Sequence, residues 1–172
     1  MERPGGGITW RTPPGAEREQ APANVGPHLY DGVLGIALFL AALDHVRSRD
    51  DHRELVTRAI APLRRTLREL VRDPDRAQRL RFQVGGFVGL GAFVYSFVRI
   101  GGWLGEPALV GEAHDLTRLL TSDCVRGDKH LDVVDGSAGA VLALLALDGV
   151  APEAGAAGAT PLELAATCAR HL

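Results

Sequence analysis

Three copies of one short pattern recur along this chain: two glycines three residues apart, followed by an apolar run of helix length. Aligned on these glycines, the copies contain Gly32/Gly35, Gly86/Gly89 and Gly136/Gly139. The copies lie about 50 residues apart, and self-similarity at such a period indicates a repeat architecture in which each copy is one supersecondary unit. One glycine pair alone is a weak signal, but three at near-constant spacing constrain the fold strongly.

The apolar runs predict three buried helices, near residues 30–46, 86–100 and 136–147. Each run is apolar nearly all round, which is typical of a helix that is covered on most sides. Glycine at each helix start lets the preceding loop turn sharply and lets neighbouring backbones approach closely. We therefore expect these three helices to lie innermost in the fold.

A second kind of helix alternates with the first. Segments near 51–71 and 107–122 place their apolar residues on one stripe at helical spacing, which predicts half-exposed helices. A third such helix begins at Thr160, where Pro161 and Glu163 complete the pattern of a capping box. The order predicts an all-α fold of three helical hairpins, each with a buried inner helix and a half-exposed outer one.

Carboxylates stand at the starts of two inner helices. Asp31 and Asp135 each precede a helix-initiating glycine, and we expect them to cap free backbone N–H groups there. Residues 1–27 hold five prolines and predict an extended lead-in, of which only the apolar stretch 7–10 is expected to dock on the body. Residues 28–172 are expected to form the helical domain.

Composition excludes several classes of function. The net charge of -2 provides no bulk attraction to nucleic acid or to acidic membranes. No apolar run reaches the length needed to span a membrane, and the first residues lack the apolar core of a signal peptide. Two cysteines are too few for a disulfide framework and fit a reducing compartment, so we expect a cytoplasmic protein.

The repeated motifs resemble the lanthionine synthetase cyclase family, specifically the cyclase domain of class II lanthipeptide synthetases. The resemblance rests on residues 7–10, 29–32, 35–40, 86–95 and 132–139 and covers nearly the whole chain. It implies an α/α toroid, an inner ring of helices within an outer ring, that is present here only in its first part. It also implies lantibiotic biosynthesis, in which peptide cysteine thiols add to dehydrated serines and threonines and close thioether rings.

The same resemblance assigns a functional role to one residue of this chain, whereas the family's zinc-binding residues have no counterpart in it. Asp132 matches the family's inner-rim aspartate, which is thought to assist proton movement or to orient a histidine, whereas capping backbone N–H groups is its alternative role. The complete family domain holds zinc through a cysteine and a Cys-His pair, and neither motif occurs here. We therefore expect no metal and no cofactor in this chain, and an enzyme fragment that is inactive alone.

The remaining candidate ligands fit a metal poorly. Cys124 and Cys168 lie far apart in the sequence and are more typical of small buried apolar groups than of a zinc site. Two other functions stay open: a non-catalytic helical-repeat module that binds a peptide or a partner synthetase, and a carbohydrate-active α/α toroid. The last ranks lowest, because Asp132 and Asp135 lie too close together to span a glycosidase cleft.

The first and third inner helices each lack a neighbour on one side. Their sequences are apolar nearly all round, and proteins rarely leave large apolar patches exposed. We expect association through this open edge, with a second copy or with the remainder of a cyclase, beside an interaction with the precursor peptide.

Overall fold

Helices and their connections make up nearly all of the fold. The computed structural model describes residues 7–11, 23–80, 82–153 and 158–172. In order, these contain α1 (Val33–Arg47), α2 (Arg53–Arg72), α3 (Pro74–Leu80), α4 (Leu90–Leu104), α5 (Pro107–Leu116), α6 (Ser122–Arg126), α7 (Ser137–Asp148) and α8 (Pro161–Ala169). The described ranges contain no strand beyond isolated bridges, so the all-α prediction is confirmed. None of their helices is long and apolar enough to cross a membrane.

The long helices form three hairpins that lie side by side. Each hairpin pairs an inner helix with the outer helix that follows it: α1 with α2, α4 with α5, and α7 with α8. Among the inner helices α4 is central and packs against α1 on one side and α7 on the other. The predicted alternation of inner and outer helices is therefore confirmed, and α4 forms the centre of the core.

The second inner helix is displaced from its predicted position. It was expected near 86–100 and instead begins at Leu90 and ends at Leu104. The helix continues through Gly101, which is buried against α5: a Cβ there would lie 3.0 Å from the Cβ of Leu109. The helix ends instead at Gly105, whose φ of 63° is the left-handed conformation typical of a helix C-terminus.

This displacement also corrects the alignment of the repeats. The residues that cap the three inner helices are Gly32, Gly89 and Gly136. The second copy therefore aligns on Gly89 and not, as the glycine pairs suggested, on Gly86. Gly86 has a different role, since a Cβ at this position would lie 2.9 Å from the Cα of Gly139.

Two of three predicted helix caps are wrong. Within the described residues, no first-turn N–H of α1 or α7 donates to Asp31 or Asp135, so neither acid performs the expected role. The capping box of α8 is confirmed: the Thr160 hydroxyl accepts from the Glu163 N–H at 3.2 Å, and the Glu163 carboxylate accepts from the Thr160 N–H at 2.8 Å. A capping box can be predicted from the spacing of its two residues, whereas a single acid before a glycine does not predict a helix cap.

The lead-in docks on α2 as predicted for residues 7–10. α2 continues through Pro62, which has no N–H to donate to the carbonyl of Arg58 four residues earlier. The N–H of Ile8 donates to that carbonyl at 3.4 Å, and Gly7 lies against the Pro62 ring. The rest of the predicted extended segment, 1–6 and 12–22, lies outside the described residues, and the domain boundary at residue 28 stays a prediction.

An ion pair joins the first two outer helices. Arg64 of α2 donates to both carboxylate oxygens of Glu112 on α5, at 3.0 and 2.6 Å, and Arg68 donates to the same carboxylate at 2.5 Å. The hydrogen bond to Glu112 raises the pKa of Arg64 despite partial burial. Two-pronged arginine–carboxylate pairs are strong and directional, so this contact fixes the first hairpin relative to the second.

Candidate functional site

The loops that precede the three inner helices meet at one end of the fold. We call these segments, residues 28–32, 85–89 and 127–136, the first, second and third rim loops. Asp132, the one site residue that the sequence predicted, lies in the third rim loop. The rim is therefore the candidate functional site.

The rim loops are hydrogen-bonded to one another in a single direction. Leu29 and Tyr30 in the first loop donate their N–H groups to the carbonyl of Phe87 in the second, at 3.1 and 3.3 Å. Phe87 in turn donates to the carbonyl of Val134 in the third loop at 3.0 Å, and Gly86 donates to that of Val133 at 3.1 Å. Each loop thus gives N–H groups to the next loop along the chain.

Glycine allows this approach of backbones. A Cβ on Gly85 would lie 2.2 Å from the carbonyl oxygen of Val134, and a Cβ on Gly139 would lie 2.1 Å from that of Val133. Distances this short exclude any side chain unless the backbone shifts. Gly139 also donates to the carbonyl of Asp132 at 3.2 Å, which holds the third rim loop against the first turn of α7.

A carboxylate that the sequence analysis did not select organises the third rim loop. Asp128 accepts from both the N–H and the hydroxyl of Ser137, the first residue of α7, at 2.7 and 2.6 Å. It also accepts from the N–H of His130 at 3.0 Å. The imidazole of His171, just after α8, contacts the Asp128 carbonyl oxygen at 2.9 Å. Asp128 thus connects the rim loop with both helices of the third hairpin.

The ionisation of Asp128 follows from these contacts. Partial burial raises the pKa of this carboxyl group, but hydrogen bonds from Ser137 and from the backbone of His130 oppose burial and together hold the pKa below its usual value. Asp128 is therefore a stably charged acceptor at neutral pH. Its role is to position α7, because its carboxylate oxygens accept hydrogen bonds from His130 in the same loop and from Ser137 in α7.

Asp132 lies at the surface of the rim. One of its carboxylate oxygens accepts from the N–H of Asp135 at 2.8 Å, and the side chain remains exposed. A ring nitrogen of His130 and one carboxylate oxygen each of Asp132 and Asp135 lie within 4.8 Å of one another. The geometry therefore combines a local turn-stabilising bond with an imidazole within 4.8 Å, a separation across which one water can relay a proton.

The first repeat places a histidine where the third has Asp132. His28 stands four residues before the capping glycine Gly32, just as Asp132 stands four before Gly136. Its ring stacks on Phe93 of α4, with ring centres 6.2 Å apart. Its Nδ1 is buried and contacts no hydrogen-bond partner in the described part of the chain. Sequence reasoning missed His28, although the alignment of Gly32 with Gly136 already places it opposite Asp132. It missed Asp128 because no local spacing links this residue to Ser137.

The environment of the two cysteines is apolar and favours the protonated thiol. Burial raises the pKa of both thiols, to about 11 for Cys168, so both stay protonated at neutral pH. The thiol of Cys124 donates to the carbonyl of Phe82 at 3.2 Å. Zinc binds the thiolate, so the environment of these cysteines does not fit the zinc of the family's complete domain.

Hairpins of one inner and one outer helix, joined by glycine-lined rim loops, define a helical-repeat protein of the α/α type. The family model described as lanthionine synthetase C-like protein matches residues 24–171. The chain therefore belongs to the lanthionine synthetase C-like family, as its motifs predicted. Comparisons with curated proteins and with solved structures found no match.

Proposed function

We propose that this chain is the N-terminal part of a lanthionine cyclase domain and acts in lanthipeptide biosynthesis, in the cytoplasm. The observation that carries the proposal is the position of Asp132, which is exposed on the rim within a fold of this family. Its partners are then the precursor peptide and the remaining part of the synthetase. The non-catalytic peptide-binding module differs from this proposal in one respect: it requires no reactive residue at the rim.

Thioether formation requires a thiolate and a proton. The sulfur attacks the β-carbon of a dehydrated residue, and the α-carbon of the resulting enolate takes up a proton. In this proposal the free oxygen of Asp132 orients or relays the group that delivers that proton, with His130 beside it. The thiolate is generated elsewhere, because in the described residues neither cysteine environment fits zinc.

The decisive experiment supplies what this chain lacks. The chain is mixed with the C-terminal part of a cyclase domain, which carries the zinc-ligating motifs, and with a dehydrated precursor peptide. Addition of the thiol leaves the peptide mass unchanged, so rings are counted by mass spectrometry as thiols that no longer react with an alkylating agent. The mixture is expected to form rings, whereas the chain alone forms none and carries no stoichiometric zinc in metal analysis.

Asp132→Asn tests the role of the carboxylate. The amide oxygen can still accept from the Asp135 N–H, so the turn should persist, whereas the charge is lost. Ring formation is expected to slow by about 100-fold or more, the usual contribution of a positioned acid or base. Asp135→Asn, three residues away in the same loop, is the matched control. An Asp132→Asn mixture with full activity would favour the peptide-binding module.

A further inference from the structure

The series of hydrogen bonds between the rim loops stops at the first and third loops, and backbone groups there have no partner among the described residues. In the third rim loop, the N–H groups of Val133 and Val134 correspond to those that Gly86 and Phe87 donate, yet within the described residues no acceptor contacts them. In the first rim loop, the carbonyl of Tyr30 corresponds to those of Phe87 and Val134, yet no donor of the described chain contacts it. One end therefore presents donors and the other an acceptor.

The inner helices expose apolar side chains at the same two ends. On the central helix α4, which packs between α1 and α7, Ser96 is 0% exposed and Val98 is 4% exposed. The equivalent of Ser96 on α1, counted from the capping glycine, is Phe39, which is 64% exposed. The equivalent of Val98 on α7 is Leu145, which is 46% exposed. Each edge thus leaves uncovered a position that a neighbouring repeat buries at the centre.

We propose that the uncovered edges bind each other in a second copy of this chain, head to tail. The α7 edge, with the N–H groups of Val133 and Val134 and with Leu145, meets the α1 edge of the second copy, with the Tyr30 carbonyl and Phe39. The occupant follows from the molecule itself, because this junction repeats the two contacts that already join its own hairpins. The polarity excludes pairing of like edges, since donors would then face donors.

Two copies joined at both junctions form a closed ring. A head-to-tail contact generates either a ring or an open filament, depending on whether its rotation closes. With three inner helices per copy, the ring would contain six, and both ends of each hydrogen-bonded rim would be satisfied. In the proposed function these edges contact the remaining part of the cyclase domain, so the pairing of copies concerns the chain in the absence of that part. Its outcome does not depend on the role of Asp132.

Sedimentation of the purified chain tests the pairing. A dimer at micromolar concentration is expected, and Phe39→Asp and Leu145→Asp should each raise the dissociation constant at least about tenfold, as expected for a buried apolar anchor. Leu80→Asp, at an exposed position on α3, is the matched control and should leave the dimer intact. Urea unfolding confirms that each variant folds. A chain that is monomeric throughout, or whose mass grows without limit, overturns the closed ring.

Mixing the two variants tests the polarity. Phe39→Asp retains a functional α7 edge and Leu145→Asp a functional α1 edge, so a mixture should form one junction although neither variant pairs with itself. Amide hydrogen exchange supplies an independent measurement: the N–H groups of Val133 and Val134 should exchange more slowly as the concentration of the unmodified chain rises. A Phe39→Asp variant that forms dimers with an unchanged dissociation constant would show pairing of like edges and would refute the head-to-tail arrangement.

Discussion

At the scale of single residues, a carboxylate and a hydroxyl determine how the third rim loop joins α7. Ser137 is fully buried, and both of its polar donors are satisfied by Asp128. A buried hydroxyl without its partner would cost free energy, and a partly buried carboxylate without donors would cost more. The position of Asp132, which lies between them in the sequence, therefore depends on this pair.

Replacing Asp128 tests this dependence. Asp128→Asn is expected to lower the free energy of unfolding at pH 7 by about 1–3 kcal/mol, because the hydrogen bonds to a charged acceptor are weakened. The pKa of Asp128 is lower in the folded chain than its ordinary value of 3.8. Its contribution is therefore complete above the unfolded pKa and is lost as the pH falls through the folded pKa. Urea unfolding from pH 7 to acid should show the difference between the variant and the unmodified chain shrinking.

The matched control is Asp123→Asn in α6. The Asp123 side chain is 74% exposed and, among the described residues, pairs with the exposed Arg126. Exposed ion pairs contribute little, so the change in unfolding free energy should stay within about 0.5 kcal/mol at every pH. A loss at Asp123 as large as that at Asp128 would indicate a general effect of net charge and would contradict the specific role of Asp128.

At the scale of elements, the glycines fall into two groups with opposite expected responses to alanine. Gly139→Ala would place a Cβ 2.1 Å from the Val133 carbonyl oxygen and 2.2 Å from the Gly86 nitrogen. Gly111 lies in α5, and a Cβ there would meet nothing within 4 Å. Alanine should destabilise the chain by about 2–4 kcal/mol at Gly139 and stabilise it by about 0.5–1 kcal/mol at Gly111. Urea unfolding of both variants measures the contrast, and equal effects would contradict the tight contact of the rim loops.

The sequence predicted which helices are inner and which are outer, but it did not predict where the second inner helix begins. An apolar run and an apolar stripe follow directly from what each helix buries, so the inner and outer roles were predicted correctly. The start of α4 was misplaced because Gly86 and Gly89 look alike in the sequence. Only the fold shows that Gly86 serves a contact with Gly139, some 50 residues away, whereas Gly89 caps the helix.

The candidate site was predictable to the same extent. Asp132 and its place beside an inner helix followed from the motif that contains it. Asp128 could not be identified, because its partner Ser137 becomes its neighbour only when the rim loop folds back on itself. His28 was already aligned with Asp132 by the glycine pairs, but only the fold shows that its ring is buried against Phe93. Contacts defined by local spacing were thus predicted, and contacts defined by loop closure were not.

At the scale of the whole molecule, the three inner helices differ in how many neighbours cover them. α4 is flanked by α1 and α7, and most of its residues are buried. α1 and α7 each have one inner neighbour and expose Phe39 and Leu145 respectively. Local opening requires less free energy where fewer apolar contacts must be broken. The chain should therefore be most stable at its centre and progressively less so towards both edges.

Amide hydrogen exchange of the dilute chain, below the concentration at which copies pair, measures this gradient. The amides of α4 should be the slowest to exchange, because they are exposed only when the whole fold opens. Those of α1 and α7 should exchange at least about tenfold faster, which corresponds to a difference in opening free energy of about 1.4 kcal/mol. The outer helix α5, packed on α4 and joined to α2 through Glu112, provides the internal comparison and should lie between them. Equal protection from exchange in all three inner helices of the dilute chain would mean that the fold opens only as a unit. The exposed edges would then be no less stable than the centre.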